Sequence, residues 1–160
     1  GNVLTTITAK NRKEMAYKLN DPKRWELVLQ KFKKLRLNIA HFGSAGTWES
    51  SSPVNSGKDP QRRKECIIGF MKKYDNVYSD FSYELVDINS TKNLKNVLYF
   101  DKIVRDRTLF GTDYWVVNKE GNLHKEQSRF LNIIDDGIED LELPKKLCLD
   151  NSINYLGLKL

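Results

Sequence analysis

Two short stretches hold the residues best suited to chemistry. Arg36-Leu37-Asn38-Ile39-Ala40-His41-Phe42-Gly43-Ser44-Ala45-Gly46 and Leu109-Phe110-Gly111-Thr112-Asp113-Tyr114 are each a short apolar run that reaches a glycine-containing break. Each run ends in one side chain able to bind a metal or a proton. A parallel strand presents a catalytic residue in this way, because the backbone is held rigidly up to the C-terminal edge of the sheet and the last side chain points into the crevice above it. His41 and Asp113 are therefore the leading pair. The plainer roles are a core histidine bonded to a backbone carbonyl for His41 and a turn cap behind Gly111 for Asp113. Asp80 and Ser82 would face the same crevice, although an Asx-type turn suits them equally. Trp48, Tyr83, Tyr114 and Trp115 fall in the loops above it and are candidate walls of a substrate pocket, with loop packing as the competing role.

The elements that must position these residues can be read in order. Val3 to Thr8 is a β-branched run expected to form a strand, and a connector with a short helix from Lys13 to Leu19 follows. Asp21-Pro22 starts a helix over Pro22 to Lys33, with Trp25, Val28, Leu29 and Phe32 as its inward stripe. Leu35 to Ala40 is the second strand, apolar enough to be covered on both faces. Gly43 to Asp59, rich in Ser, Gly and Pro, is a long loop leaving its C-terminal end. Asp59-Pro60 starts another helix, running to about Tyr74, with Cys66, Ile67, Phe70 and Met71 inward. Asn76 to Tyr83 is the third strand, Thr91 to Phe100 a helix, and Lys102 to Arg107 lead into the fourth strand at Thr108 to Phe110. A loop over Val116 to Leu123, a helix over Lys125 to Ile134 and short helical segments at Pro144 to Leu149 and Ile153 to Leu158 complete the pattern. The alternation of strand and helix predicts parallel strands and an α/β class. Four such units are half of an eight-unit barrel, and 160 residues are too few to close one.

Length and composition fit one domain spanning 1–160: apolar residues make up 39% and charged residues 30% of the chain. The net charge of +6 raises nucleic acid as a partner. Its cations are spread through Lys10 to Lys13, Lys31 to Lys34, Arg62 to Lys64 and Lys102 to Arg107, mostly with acidic neighbours, so solvated helix faces are the preferred reading. Cys66 and Cys148 show no ligand spacing and are expected to be buried free thiols. No run of 18 apolar residues and no secretory signal is visible, which points to a cytoplasmic protein with no membrane partner. The opening Gly1-Asn2 reads as an expression remnant followed by a start inside a longer gene, with a natural start, a truncation and a proteolytic product all left open by the sequence.

Four motifs in order carry a family likeness: Asn20-Asp21-Pro22-Lys23-Arg24-Trp25, Leu37 to Gly43, Tyr74-Asp75-Asn76-Val77-Tyr78-Ser79-Asp80-Phe81-Ser82 and Leu109 to Tyr114. Together they resemble the C-terminal half of amidohydrolase-related metal-dependent hydrolases of the TIM-barrel type, over about Val3 to Leu158. The resemblance implies that the strands correspond to the fifth to eighth of the barrel, with the N-terminal half missing or supplied by dimerisation. It further implies that His41, on the sixth strand, binds metal or substrate, and that Asp113, on the eighth, binds a divalent metal, zinc above all, and takes the proton of the attacking water. A bound divalent metal brings the pKa of water toward neutrality and a carboxylate accepts the proton, which is why those residue types belong together.

This sequence departs from the family pattern at two places. The first-strand His-x-His is absent, since the chain holds only His41 and His124, and Ile7 stands where the fifth-strand His belongs. One copy thus offers two of the usual ligands, fewer than the three a catalytic zinc normally takes. The implied function is the C-terminal part of a metal-dependent hydrolase acting on a small molecule through C–N, C–O or carboxylate chemistry, incomplete or inactive as this chain alone. The alternative is a degenerate, non-catalytic half-barrel that dimerises or binds a ligand. A polyanion-binding module, resting on charge alone, ranks third.

Overall fold

The structure, a computed structural model, describes residues 12, 15–16, 18–43, 47–48, 60–120, 122–135 and 142–159. A 3-10 turn at Pro22–Arg24 leads into helix α1 (Trp25–Lys31). Strand β1 (Leu37–Ile39) follows, then α2 (Pro60–Lys73), β2 (Val77–Phe81), α3 (Ile88–Phe100), α4 (Lys102–Arg107) and β3 (Thr108–Phe110). After β3 come α5 (Tyr114–Glu120) and α6 (Leu123–Asp135); then α7 (Leu143–Lys145) runs through a π-helical turn at Lys146–Asp150 into α8 (Asn151–Leu156).

The three strands form one open parallel sheet in the order β1-β2-β3, with Ile39 opposite Ser79 and Ser79 opposite Thr108. The α/β class and the parallel pairing expected from the sequence are thus present. The expected strand at Val3 to Thr8, and with it Ile7, lies outside the described residues. Side chains of a strand alternate between faces. Leu37, Ile39, Val77, Phe81 and Phe110 consequently share the face that packs into the main core with Ile67, Met71, Leu94, Leu98 and Phe130. Asn38, Tyr78, Asp80 and Leu109 share the other face. The C-terminal segment covers part of that second face: Tyr155 of α8 meets Tyr78 edge to face at 5.1 Å, and the Asn151 side chain donates to the carbonyls of Arg105 and Thr108 at 2.8 and 2.7 Å. Among the described residues the C-terminal rim of the sheet opens onto a cleft.

Several local expectations are corrected. Trp25 and Phe32 are not core: they are 39% and 55% exposed, while Leu29 alone of that stripe is fully buried. Trp25 and Val28 border an open cleft beside Asn38 and Ile39 of β1 and Ala40 just after it, so only Leu29 of the stripe reaches the core. Lys102 to Arg107 and Tyr114 to Glu120, read as strand approach and loop, are helices. The first starts where the Asp101 carboxylate accepts from the N–H groups of Ile103 and Val104, a cap that overrides weak hydrophobic periodicity. Burial pushes the Asp101 carboxyl up, but the Lys72 ammonium and those N–H groups outweigh it and hold the group below its usual range. Helix α3 begins three residues early because Asp87 caps it, its carboxylate accepting from Ser90 N–H at 2.6 Å. Both thiols are free, but Cys66 is half-buried and Cys148 exposed, the latter lying in the π-helical turn. No helix among the described residues is long and apolar enough to cross a membrane.

Candidate functional site

β1 ends in a turn that ordinary residues avoid. His41, Phe42 and Gly43 carry φ of 53°, 46° and 85°, three left-handed residues in succession, each of the first two costing about 1–2 kcal/mol by contact of Cβ with the backbone. The neighbouring strand supplies what holds them there. The Ser79 hydroxyl accepts from Phe42 N–H at 3.1 Å and donates to the Ile39 carbonyl, while Asp80 Oδ1 accepts from His41 N–H at 3.2 Å. Phe42 is completely buried and meets Trp48 edge to face at 4.9 Å, anchoring the turn in the core. Gly43 is favoured by its φ of 85°, and a Cβ there would stand 2.9 Å from Ile67 Cδ1, which would have to shift. Its carbonyl accepts from Arg63 Nη1 at 2.7 Å. With the turn so fixed, the His41 ring is directed to the rim.

β3 brings the second residue. A Cβ on Gly111 would lie 3.0 Å from Ser82 Cβ, so glycine lets the end of β3 run close to the end of β2 without displacing Ser82. Two residues on, Asp113 also has a left-handed backbone, φ 43°, and its carbonyl accepts from Val117 N–H as α5 begins. His41 Nε2 and Asp113 Oδ2 end 3.8 Å apart, each side chain about 30% exposed. Strained non-glycine backbone concentrates at sites where geometry serves function.

On the other side of the ring, His41 Nδ1 lies 2.7 Å from Ser82 Oγ, and Ser82 Oγ donates to Asp80 Oδ1 at 2.7 Å. Asn38 Nδ2 donates to Asp80 Oδ2 at 2.8 Å. The carboxylate of Asp80 is thereby engaged on both oxygens, and its charge is held by donors from β1 and β2. These residues line a cleft of about 300 Å³ with Leu109, Gly111, Thr112, Asp113 and Ser152.

The sequence thus placed His41 and Asp113 at one rim, and the structure brings them together. Asp80 and Ser82 join them, in a bonded chain and not as an isolated Asx turn. The aromatic candidates separate. Tyr83 flanks the His41 ring edge-on, with centroids 6.4 Å apart. Trp48 is buried in the core under Phe42, with the Lys64 ammonium 4.7 Å from its ring centroid, and does not border the cleft. Tyr114 and Trp115 are exposed and pack on each other. Sequence reasoning missed Asn38 and Ser152. For Asn38 a signal existed: an amide inside the apolar run Leu37 to Ala40 needs a buried polar partner. For Ser152 there was none, since its place depends on how the end of the chain folds back.

The donor set answers only part of what a metal needs. Two ligands of one zinc, each about 2.0–2.2 Å from it in tetrahedral geometry, stand roughly 3.4 Å apart; the 3.8 Å between His41 Nε2 and Asp113 Oδ2 is close to that. Asp80 is already committed to its donors. Among the described residues no group of three or more His, Cys, Asp or Glu side chains could hold a metal ion. The residues fit two coordination positions and stop short of a complete catalytic site. Comparisons of the chain with protein-family models, with curated proteins and with solved structures find no match.

Proposed function

We propose that this chain carries the His41–Asp113 portion of a metal-dependent hydrolase site of the amidohydrolase-like kind, built on half of a parallel β/α barrel and acting on a small molecule. Further donors would come from a preceding half or from a second chain. One observation carries the reading: an imidazole nitrogen and a carboxylate oxygen, remote in sequence, face each other across 3.8 Å at the C-terminal rim of a parallel sheet, each on a left-handed backbone. The consecutive order β1-β2-β3, in which every strand pairs with the next along the chain, is compatible with a barrel segment, as it is with one half of a doubly wound sheet.

The chain's own residues have distinct work in such a site. His41 Nε2 and Asp113 would hold the cation, which when bound lowers the pKa of its water toward neutrality. Asp113, about 30% exposed, is open enough to accept the proton of that water. The open cleft of about 300 Å³ beside this pair, walled in part by Leu109 and Gly111, is of a size for a small molecule. A second reading, a ligand-binding relative without catalysis, is favoured by the count of two donors. Calorimetric titration of the chain with zinc tests the proposal. The parent chain is expected to bind, and His41→Ala and Asp113→Ala each to lose at least about tenfold in affinity. Equal affinity in all three would contradict it.

A further inference from the structure

We propose that Asp80 and Ser82 form a relay that fixes His41 in the neutral tautomer carrying its proton on Nδ1, leaving Nε2 bare toward Asp113. The inference rests on the reading that Nε2 is the working atom of the site, and it assigns two positioning residues to that atom.

The proton count decides it. A serine hydroxyl has one hydrogen to give and lone pairs to receive with. Ser82 Oγ stands 2.7 Å from Asp80 Oδ1 and 2.7 Å from His41 Nδ1. Asp80 is otherwise surrounded by donors: Asn38 Nδ2 on one oxygen and His41 N–H on the other. It therefore acts as an acceptor, and the single Ser82 proton goes to it. Were that proton turned toward Nδ1, a hydroxyl lone pair and a carboxylate oxygen would meet at 2.7 Å with no hydrogen between them, leaving both unsatisfied in a half-buried place. With the proton on the Asp80 side, Ser82 can only receive from the ring, so Nδ1 is the protonated nitrogen, with Asp80 Oδ1 itself 3.5 Å from it, and in the neutral ring Nε2 keeps its lone pair. Metal-binding histidines are commonly oriented by such a partner on the nitrogen that does not bind the metal. Here Asp80 acts on His41 twice, through the main-chain N–H that holds the left-handed turn and through the Ser82 hydroxyl that sets the ring. Backbone and imidazole are aligned by one carboxylate.

The test is the ring nitrogen spectrum of the chain labelled with ¹⁵N-histidine, taken at about pH 8.5, roughly two units above the ordinary imidazole value. The chain has two histidines, and His124→Gln identifies the signals of His41. The expected result is a protonated Nδ1 and an unprotonated Nε2 at His41. Ser82→Ala should lower the ratio of the Nδ1–H to the Nε2–H form about tenfold, the ~1.4 kcal/mol of one hydrogen bond. A circular dichroism spectrum and a cooperative melting curve like the parent's show that Ser82→Ala keeps the fold. An Nε2–H form at His41 in the parent chain overturns the relay, whether or not any variant folds, as does an unchanged ratio in a folded Ser82→Ala. Zinc added to the same sample separates the two proposals. Nδ1–H without any zinc effect on Nε2 supports the relay and removes the metal reading. A zinc shift of Nε2 in a ring that was Nε2–H beforehand removes the relay and leaves the metal reading standing.

Discussion

Asp113 and His41 occupy backbone conformations that their own side chains oppose. A residue kept at φ 43° or 53° without being glycine gives up stability that another residue would recover. Asp113→Gly and Asp113→Ala delete the same carboxylate and differ only in the backbone they favour. In a helix or strand the alanine variant would be the more stable. Here the order is expected to invert, with Asp113→Gly more stable than Asp113→Ala by about 1 kcal/mol, or roughly 2–4 °C in melting temperature for a chain of this size. The alanine variant melting higher would mean that the left-handed turn is absent. At this scale His41 and Asp113 were legible because a glycine break after an apolar run marks the tip of a parallel strand. Their strain was not, because nothing local requires a left-handed histidine. Ser79 and Asp80 impose it from the next strand, and that pairing is a matter of register.

Among the elements, the strands were legible and the short helices were not. β1 and β3 are three-residue strands marked by the apolar residues they send into the packed face, whereas α4 and α5 have weak stripes and depend on capping and tertiary contact. The exposed Trp25 and Phe32 make the same point in reverse: helical spacing finds a stripe, but the elements around it decide whether the stripe is buried. α8 is the element on which the cleft most depends. Asn151 is fully buried and its amide meets the Arg105 and Thr108 carbonyls where α4 passes into β3. Asn151→Ala leaves both carbonyls without that donor and is expected to cost about 2–3 kcal/mol, read as a lower denaturant midpoint with an unchanged slope. A midpoint equal to the parent's would show that α8 is not anchored there.

Over the whole molecule the sheet has a packed face, a face partly closed by α8 and a rim holding the polar cluster. Among the described residues the paired cations lie away from that rim. Arg62, Lys72, Lys73, Lys102, Arg107, Arg129, Lys145 and Lys146 pair with acidic side chains, the arrangement expected of solvated helix faces. The central claim is that His41 and Asp113 take one cation between them. Substoichiometric Mn²⁺ added to the ¹⁵N-histidine chain tests this most directly, because the paramagnetic ion broadens only what lies near it. His41 is expected to broaden well before His124 in the parent chain, and to lose that lead in Asp113→Ala. Equal broadening of both histidines, or a His41 response indifferent to the loss of the Asp113 carboxylate, would contradict the claim.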